Sequence, residues 1–362
     1  MQEVDVLIVG AGPAGSTTAR YCAGNDLDVL MIDRRKEIGY PVQCGEFLPD
    51  NGEMYDIFPR SLDLEELFKV DASVTAGRSD AVDIVSPGGR VYRCPFSGVT
   101  LDRRSFDKHL VNLATEKGAR LLTETSFLGF KGGVTRTTVG EIRAKVVVGA
   151  DGPNSRIATS AGLSRPSANY PAVTCQASGR FEPVVKMYFG SVAPGGYAWV
   201  IPKSSGANVG VGFDPHALKE RPSAVFYRFL DRLGVKTFDG MTMGFVPTSG
   251  PVERTVKDNV LLVGDSAGLP MSTNGGGIPT AMIAGRFAGQ VIRKHLKDGL
   301  ALSEYETRWR ACMDRSLRNA LRTRKMGDLF FSHDLALGLA MFILGKYGLD
   351  RAIRCKRVFG LF

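Results

Sequence analysis

The chain has little cysteine for its 362 residues, and what it has is scattered. Cys22, Cys44, Cys94, Cys175, Cys312 and Cys355 form no C-x-x-C pair and no metal-ligand spacing. That pattern excludes a disulfide scaffold and points to free thiols in a reducing compartment, with no metal site. Long hydrophobic runs are missing as well: none reaches the roughly 18–20 residues that a spanning helix requires. The first residues run straight into an apolar strand and leave no room for a signal peptide, so a cytoplasmic setting is expected. Internal repeats, low-complexity tracts and nucleic-acid modules are also lacking, which puts nucleic acid last among partners. Negative charge is in deficit. The 46 Lys and Arg against 37 Asp and Glu leave +9, favouring anionic lipid, a pyrophosphate or an acidic redox protein. With 44% apolar and 23% charged residues the chain is an ordinary globular one, long enough for about two domains.

What is present starts at residues 4–33. Val4, Val6, Leu7, Ile8 and Val9 form an apolar run that reads as a strand buried on both faces. Gly10, Gly12 and Gly15 follow in G-x-G-x-x-G spacing, then a helical stretch to Ala23, then a second apolar run, Val29 to Ile32, that ends at Asp33. Gly10 permits the tight turn, Gly12 lets backbone approach a pyrophosphate, and Gly15 lets helix pack on strand. The helix N-terminus offers free N–H groups to phosphate. Asp33 stands where an acid accepts hydrogen bonds from ribose hydroxyls. Strand, glycines, helix, strand and acid in that order predict an ADP-containing dinucleotide.

Beyond Asp33, Gly39, Pro41 and Gly45 mark an irregular loop. Position alone leaves Cys44 two roles, a ligand-facing side chain or a small buried hydrophobe. Residues 52–72 read as helix and connection, 73–100 as a hairpin turning at Pro87-Gly88-Gly89, and 105–117 as helix. Arg103, just before that helix, either approaches a phosphate or is a salt-bridged surface arginine. Residues 119–125 and 142–150 read as strands, the latter leading to Asp151-Gly152. Segments 173–189 and 197–213 alternate like antiparallel strands, and 223–233 reads as helix. A late apolar strand in 259–268 carries Gly264-Asp265, and Gly275-Gly276-Gly277 opens the helix at 278–295. After 300 the chain is helical and basic. The stretch 335–345 is apolar all round, suiting either a membrane surface or burial against the rest of the protein.

Three separated motifs, Gly10-x-Gly12-x-x-Gly15 with Asp33, Asp151-Gly152 and Gly264-Asp265, resemble the flavoproteins that include the aromatic hydroxylases. Within that group PVQCGE (41–46), LDRRSFDKHL (101–110), GADGPNSR (149–156), PGGYAWVIPK (194–203) and LLVGDSAG (261–268) are similar to the geranylgeranyl reductase family. The resemblance spans about residues 1–300 and implies an α/β fold, α+β overall. A Rossmann-like FAD domain would take 1–72, 100–165 and 251–298. An antiparallel-sheet substrate domain would take 73–99 and 166–250, and helices 299–362. It implies that Gly10, Gly12, Ala14 and Gly15 line the FAD pyrophosphate, that Asp33 holds the adenosine ribose and that Leu122 lies on the adenine side. Cys44, Gly45 and Phe47 would lie beside the flavin, and Arg103 would reach the phosphates. Asp265 would bind the ribityl or pyrophosphate part, and Gly277 and Ile278 would offer N–H groups to the ring. Tyr197 and Trp199 belong to the family's P-x-x-Y-x-W-x-F-P motif, which walls a lipid pocket. With Cys44 they are the expected catalytic positions. Two departures are Ile201 for the motif's Phe and Met271-Ser272 where the flavin loop usually has Asp-Pro.

The resemblance implies hydride transfer from reduced FAD to isoprenoid C=C bonds of a geranylgeranyl lipid held in a dry pocket. The proton donor stays unassigned, with His109 and His295 expected at helix surfaces. A single dinucleotide fingerprint means no separate NADPH domain, so electrons come from an external donor, ferredoxin or a transient reduced nicotinamide. Rival readings are a flavin monooxygenase or halogenase, whose W-x-W-x-I-P motif Y-A-W-V-I-P resembles, and a non-catalytic flavin or lipid carrier.

Overall fold

The strand Gln2–Val9 is apolar and buried from Val6 to Val9 because that half lies inside a parallel sheet. It pairs with Val29–Ile32 on one side and Gly140–Gly149 on the other. Val260–Leu262 extends the sheet beyond Gly140–Gly149, and Arg120–Leu122 closes the opposite edge beside Val29–Ile32. This first eight-stranded sheet of the computed structural model, which describes residues 1–24, 26–61 and 63–358, is completed by antiparallel additions at 127–137 and 256–257.

The second eight-stranded sheet runs in the order 238–247, 169–178, 206–212, 197–203, 185–189, 75–85, 91–101, 47–49. One face packs Val173, Cys175, Val209 and Val211 against Val225, Phe226 and Phe229 of the helix Pro222–Leu233. The alternate positions, Asn208 and Gly210 among them, point to the opposite face by the two-residue period of a strand.

Local chemistry explains the places where the elements differ from expectation. Residues 52–72 form two short helices, Asn51–Ile57 and Glu65–Phe68, because Pro59 forbids the first from continuing through Phe58. Only Arg120–Leu122 of 119–125 is strand, since Glu124 turns the chain at φ 53°. The second sheet is not wholly antiparallel: Val185–Phe189 lies parallel to Thr75–Val85. The run 259–268 holds a three-residue strand followed by a 3-10 turn, Gly264–Ala267. Helix Arg103–Thr115 begins where the Asp102 carboxylate accepts from the Ser105 amide at 3.1 Å. The apolar stretch 335–345 belongs to a longer helix, Asp334–Ile353, interrupted at Gly345. No helix among the described residues is long and apolar enough to cross a membrane.

The helix after the glycine loop, Pro13–Cys22, packs on Ile278–Asp298 through bare backbone. A Cβ on Gly285 would stand 2.6 Å from the Ala14 carbonyl oxygen, and one on Gly289 would stand 2.5 Å from that of Thr18. Both contacts are backbone, so neither can rotate away. Gly285→Ala is therefore expected to destabilise the protein by about 1–3 kcal/mol through overpacking, read as a lower urea midpoint. An unchanged midpoint would mean that the two helices separate freely.

Candidate active site

The glycine loop is shaped by contacts that side chains would block. Gly10 has φ 104°, and a Cβ there would fall 2.2 Å from the Ala150 carbonyl oxygen. The loop is then held by Asp33, whose carboxylate accepts from the amides of Ala11 at 2.9 Å and Arg35 at 2.8 Å. The Asp33 amide donates to the Leu122 carbonyl at 2.9 Å, so Leu122, 38% exposed, stands beside it at the sheet edge. Gly12 caps the helix without a side-chain hydrogen bond, and a Cβ on it would meet nothing within 4 Å. The turn is a cradle of free amides facing open space, with Ala14 and Gly15 on its inner wall.

The late segment returns to this cradle. A Cβ on Gly264 would lie 2.9 Å from that of Ala14, and one on Gly277 would lie 3.2 Å from Asp265 Oδ1. Gly277 starts the helix Ile278–Asp298, again without a side-chain cap. Burial pushes the Asp265 carboxyl up to about 6, with the positive charge of Arg103 acting the other way. Arg103 itself makes a two-pronged ion pair with the buried Asp107, 2.8 Å at each prong. Asp151 serves the backbone. Its carboxylate accepts from Ser155 Oγ and from the amides of Arg156 and Ile157 at 2.6–3.1 Å, starting the next helix.

A second cluster forms where the loop 41–46 meets the second sheet. Thr242 Oγ1 donates to the Val42 carbonyl at 2.6 Å, tethering the loop to the strand 238–247. Cys44 Sγ accepts from the Glu46 amide at 3.2 Å. Burial raises its pKa above the usual thiol value, against the pull of the nearby Arg103 charge. A Cβ on Gly45 would lie 3.0 Å from Ile201 Cδ1 and 3.6 Å from Trp199 Nε1, so the loop rests on both side chains. The Trp199 and Tyr197 rings are 5.9 Å apart between centroids. Tyr197 donates its hydroxyl to the Asn274 carbonyl, and burial raises its pKa. The Phe47 ring lies 6.3 Å from that of Phe96 on the neighbouring strand 91–101.

Sequence reasoning assigns no role to the group that ties this cluster together. Glu46 is 1% exposed and has φ 70°. Its Oε2 accepts from Lys203 Nζ at 2.7 Å and from Asn208 Nδ2 and Gln176 Nε2 at 2.8 Å each. Its Oε1 accepts from the Arg103 amide at 3.2 Å. Asn208 Nδ2 also donates to the Cys44 carbonyl at 2.8 Å, while its Oδ1 accepts from Trp199 Nε1 at 2.7 Å and Thr174 Oγ1 at 2.8 Å. A signal does exist, a lone Asn in the apolar strand ANVGVG.

The flavin-loop segment lacks the usual proline but is closed by other means. Asn274 Oδ1 accepts from the Gly276 amide at 2.8 Å, and its Nδ2 donates to the Ile353 carbonyl at 2.9 Å. The last helix thus holds the loop. Ser272 Oγ is buried with no protein partner. The uncapped helix start, the open side of Gly12, the partly desolvated Asp265 and the unpartnered Ser272 suit a dinucleotide that brings phosphates and hydroxyls.

Folding raises the Asp265 pKa from 3.8 to about 6, so the folded state binds its proton more tightly. FAD-free protein should therefore lose stability as pH rises from about 4 to 6. Asp265→Asn should flatten that slope in urea unfolding at a series of pH values; an unaltered slope would assign it to other groups. Asn208→Ala should cost about 1–3 kcal/mol, because it strands the Trp199 N–H and removes one donor from a buried carboxylate. A urea midpoint equal to that of the parent protein would show the network to be dispensable.

Comparison with known proteins gives consistent matches. A family model described as the geranylgeranyl reductase catalytic domain matches residues 170–244, and one described as an FAD binding domain matches residues 3–205. The chain is 37% identical over 348 residues to digeranylgeranylglycerophospholipid reductase 2 of Methanothermobacter thermautotrophicus, covering 90% of this chain and 88% of the relative. The crystal structure of a geranylgeranyl bacteriochlorophyll reductase-like protein from Thermoplasma acidophilum superposes with a TM-score of 0.83 at 29% identity, covering 95% of this chain and 91% of that one. A flavin-dependent brominase, at 18% identity and TM-score 0.72 over 98% of this chain and 94% of its own, shares the fold.

Proposed function

The chain belongs to the geranylgeranyl reductase family, and on that premise we propose that it saturates isoprenoid C=C bonds of a digeranylgeranylglycerol phospholipid or geranylgeranyl diphosphate. It is an FAD-dependent oxidoreductase. The observation that carries the reading is the seating of the PVQCGE loop on Trp199 through Gly45 and Asn208. That contact joins the cradle for the cofactor to an aromatic wall. On this reading the first sheet serves the cofactor and the second the lipid.

FAD, when bound and reduced, would supply a hydride to one alkene carbon, and a proton drawn from water would complete the other. The chain's own residues do the rest. Gly10, Gly12, Ala14 and Gly15 offer backbone to the pyrophosphate, Asp33 and Leu122 flank the adenosine end, and Asp265 and Arg103 face the middle of the cofactor. Gly277 and Ile278 present amides to the ring, with Cys44, Gly45 and Phe47 on the loop side. Tyr197 and Trp199 bound an apolar space in which an unactivated alkene is positioned without polar handles, gaining roughly 25 cal/mol per Å² removed from water. Cys44, its pKa raised, keeps its proton on Sγ at neutral pH. Electrons reach the cofactor from an external donor, ferredoxin or reduced nicotinamide. The lipid comes from a membrane that the protein touches peripherally.

The test is anaerobic. Reduced holoenzyme mixed with a digeranylgeranyl lipid should give products with hydrogen added pairwise by mass spectrometry, and Trp199→Ala should keep FAD but change which bonds are saturated. Lipid bound but left unsaturated would indicate a carrier. Oxygen-dependent hydroxylation or halogenation in place of saturation would overturn the reductase reading.

A further inference from the structure

Eight of the eighteen large hydrophobic side chains that are exposed among the described residues fall between Met326 and Tyr347. They are ordered. Leu335, Leu339 and Phe342 recur at helical spacing on the part of Asp334–Ile353 before Gly345, with Ile343 one turn after Leu339, and Lys346 and Tyr347 follow the break at Gly345. Leu335 is 91% exposed, Ile343 68% and Tyr347 73%. The opposite side, Leu337 and Met341, is buried. The preceding helix, Arg315–Asp328, carries Arg315, Arg318, Arg322 and Lys325 along one exposed stripe. One turn further on comes Leu329, 77% exposed.

Positive charge also sits on the apolar rows. The Arg90 guanidinium lies 4.7 Å from the Phe342 ring centre and that of Arg351 lies 5.4 Å from Tyr347. The nearby acids are engaged, Asp334 by the Ser191 amide and hydroxyl, Asp328 by Arg324, and Asp314 by Arg318 of the stripe itself.

The geometry points to this hairpin, residues 326–347 with the basic stripe before it, as the face that docks on an anionic lipid surface. The inference rests on the lipid-reductase reading for its biological sense and names the partner of that activity. Apolar side chains entering the acyl boundary with cations among the headgroups are the two signals that hold a helix in an interface. A second copy of the chain would bring the same positive stripe into its own interface, where like charges oppose.

The face is also continuous with the site. Phe331, next to exposed Phe330, stacks on Phe189 at 6.3 Å, and Phe189 meets Tyr197 at 5.8 Å. Arg324 fixes the junction, donating to the Gly195 carbonyl at 2.8 Å under the Tyr170 ring. One line of aromatic rings therefore leads from the docking face to Trp199.

FAD-loaded full-length protein, floated with phosphatidylglycerol–phosphatidylcholine vesicles, tests this. The parent protein should float at low salt and much less at high salt. The exposed double substitution Leu339→Gln with Ile343→Gln should cut the bound fraction by about ten-fold or more. Arg322→Gln with Lys325→Gln should reduce binding to phosphatidylglycerol vesicles and blunt the salt effect. Both variants should retain FAD and reduce detergent-dispersed geranylgeraniol at the parent rate, which shows that they fold. Failure of the parent to float, or flotation of the Leu339/Ile343 variant at the parent level, overturns the inference. So does a parent dimer that this variant converts to monomer. If instead no protein reduces the dispersed alkene, the functional reading fails while the flotation result stands by itself.

Discussion

A carboxylate removed from water must be met by donors from every side, and Glu46 is the point at which this protein does so. Its partners come from four separate segments: the Arg103 amide, Gln176, Lys203 and Asn208. Each is on an element that borders the candidate site. Glu46 sits two residues after Cys44, in a backbone conformation of φ 70°, and the preceding Gly45 lies beside Trp199. The loop 41–46, the strands that carry Trp199 and Asn208 and the start of helix Arg103–Thr115 are thereby referred to one buried carboxylate. Removing any single donor leaves the charge in place with less to hold it. The shape of the site is thus set by an electrostatic demand more than by packing.

Apolar packing does the complementary work in the first sheet, where Val4 to Val9 and Val29 to Ile32 exclude water on both faces. That sheet tolerates the exposed amides of the glycine turn only because they lie at its carboxyl edge, where a ligand can take them up.

This division explains what can be read from the residues. The placement of Gly10, Gly12, Gly15 and Asp33 is legible because it is local, fixed by a strand, a turn and a helix within some thirty residues of chain. The helices at 103–115, 222–233 and 278–298 are legible from their periodicity and their start and stop residues. Asn208 is not, since a polar residue in an apolar strand becomes meaningful only when Glu46, Cys44 and Trp199 arrive from 9 to 164 positions away. The parallel pairing of Val185–Phe189 with Thr75–Val85 is hidden for the same reason, as strand alternation says nothing of the partner's direction. The hold of the last helix on Asn274 is likewise a contact between segments 79 residues apart. The apolar stretch 335–345 leaves two fates open by its composition, and its helix in fact divides them between a buried and an exposed side.

The strand order has a consequence for how the protein is made. Gln2–Val9 emerges from the ribosome early, yet its neighbour Gly140–Gly149 comes much later and the next strand, Val260–Leu262, later still. Gly264, which closes on Ala14, and Asn274, which waits for Ile353, come later than all of these strands. The wall that closes on the glycine turn is therefore made long after the turn itself. Until Gly140–Gly149 is made, the first strand is an apolar edge open on one side, a segment for chaperones to shield.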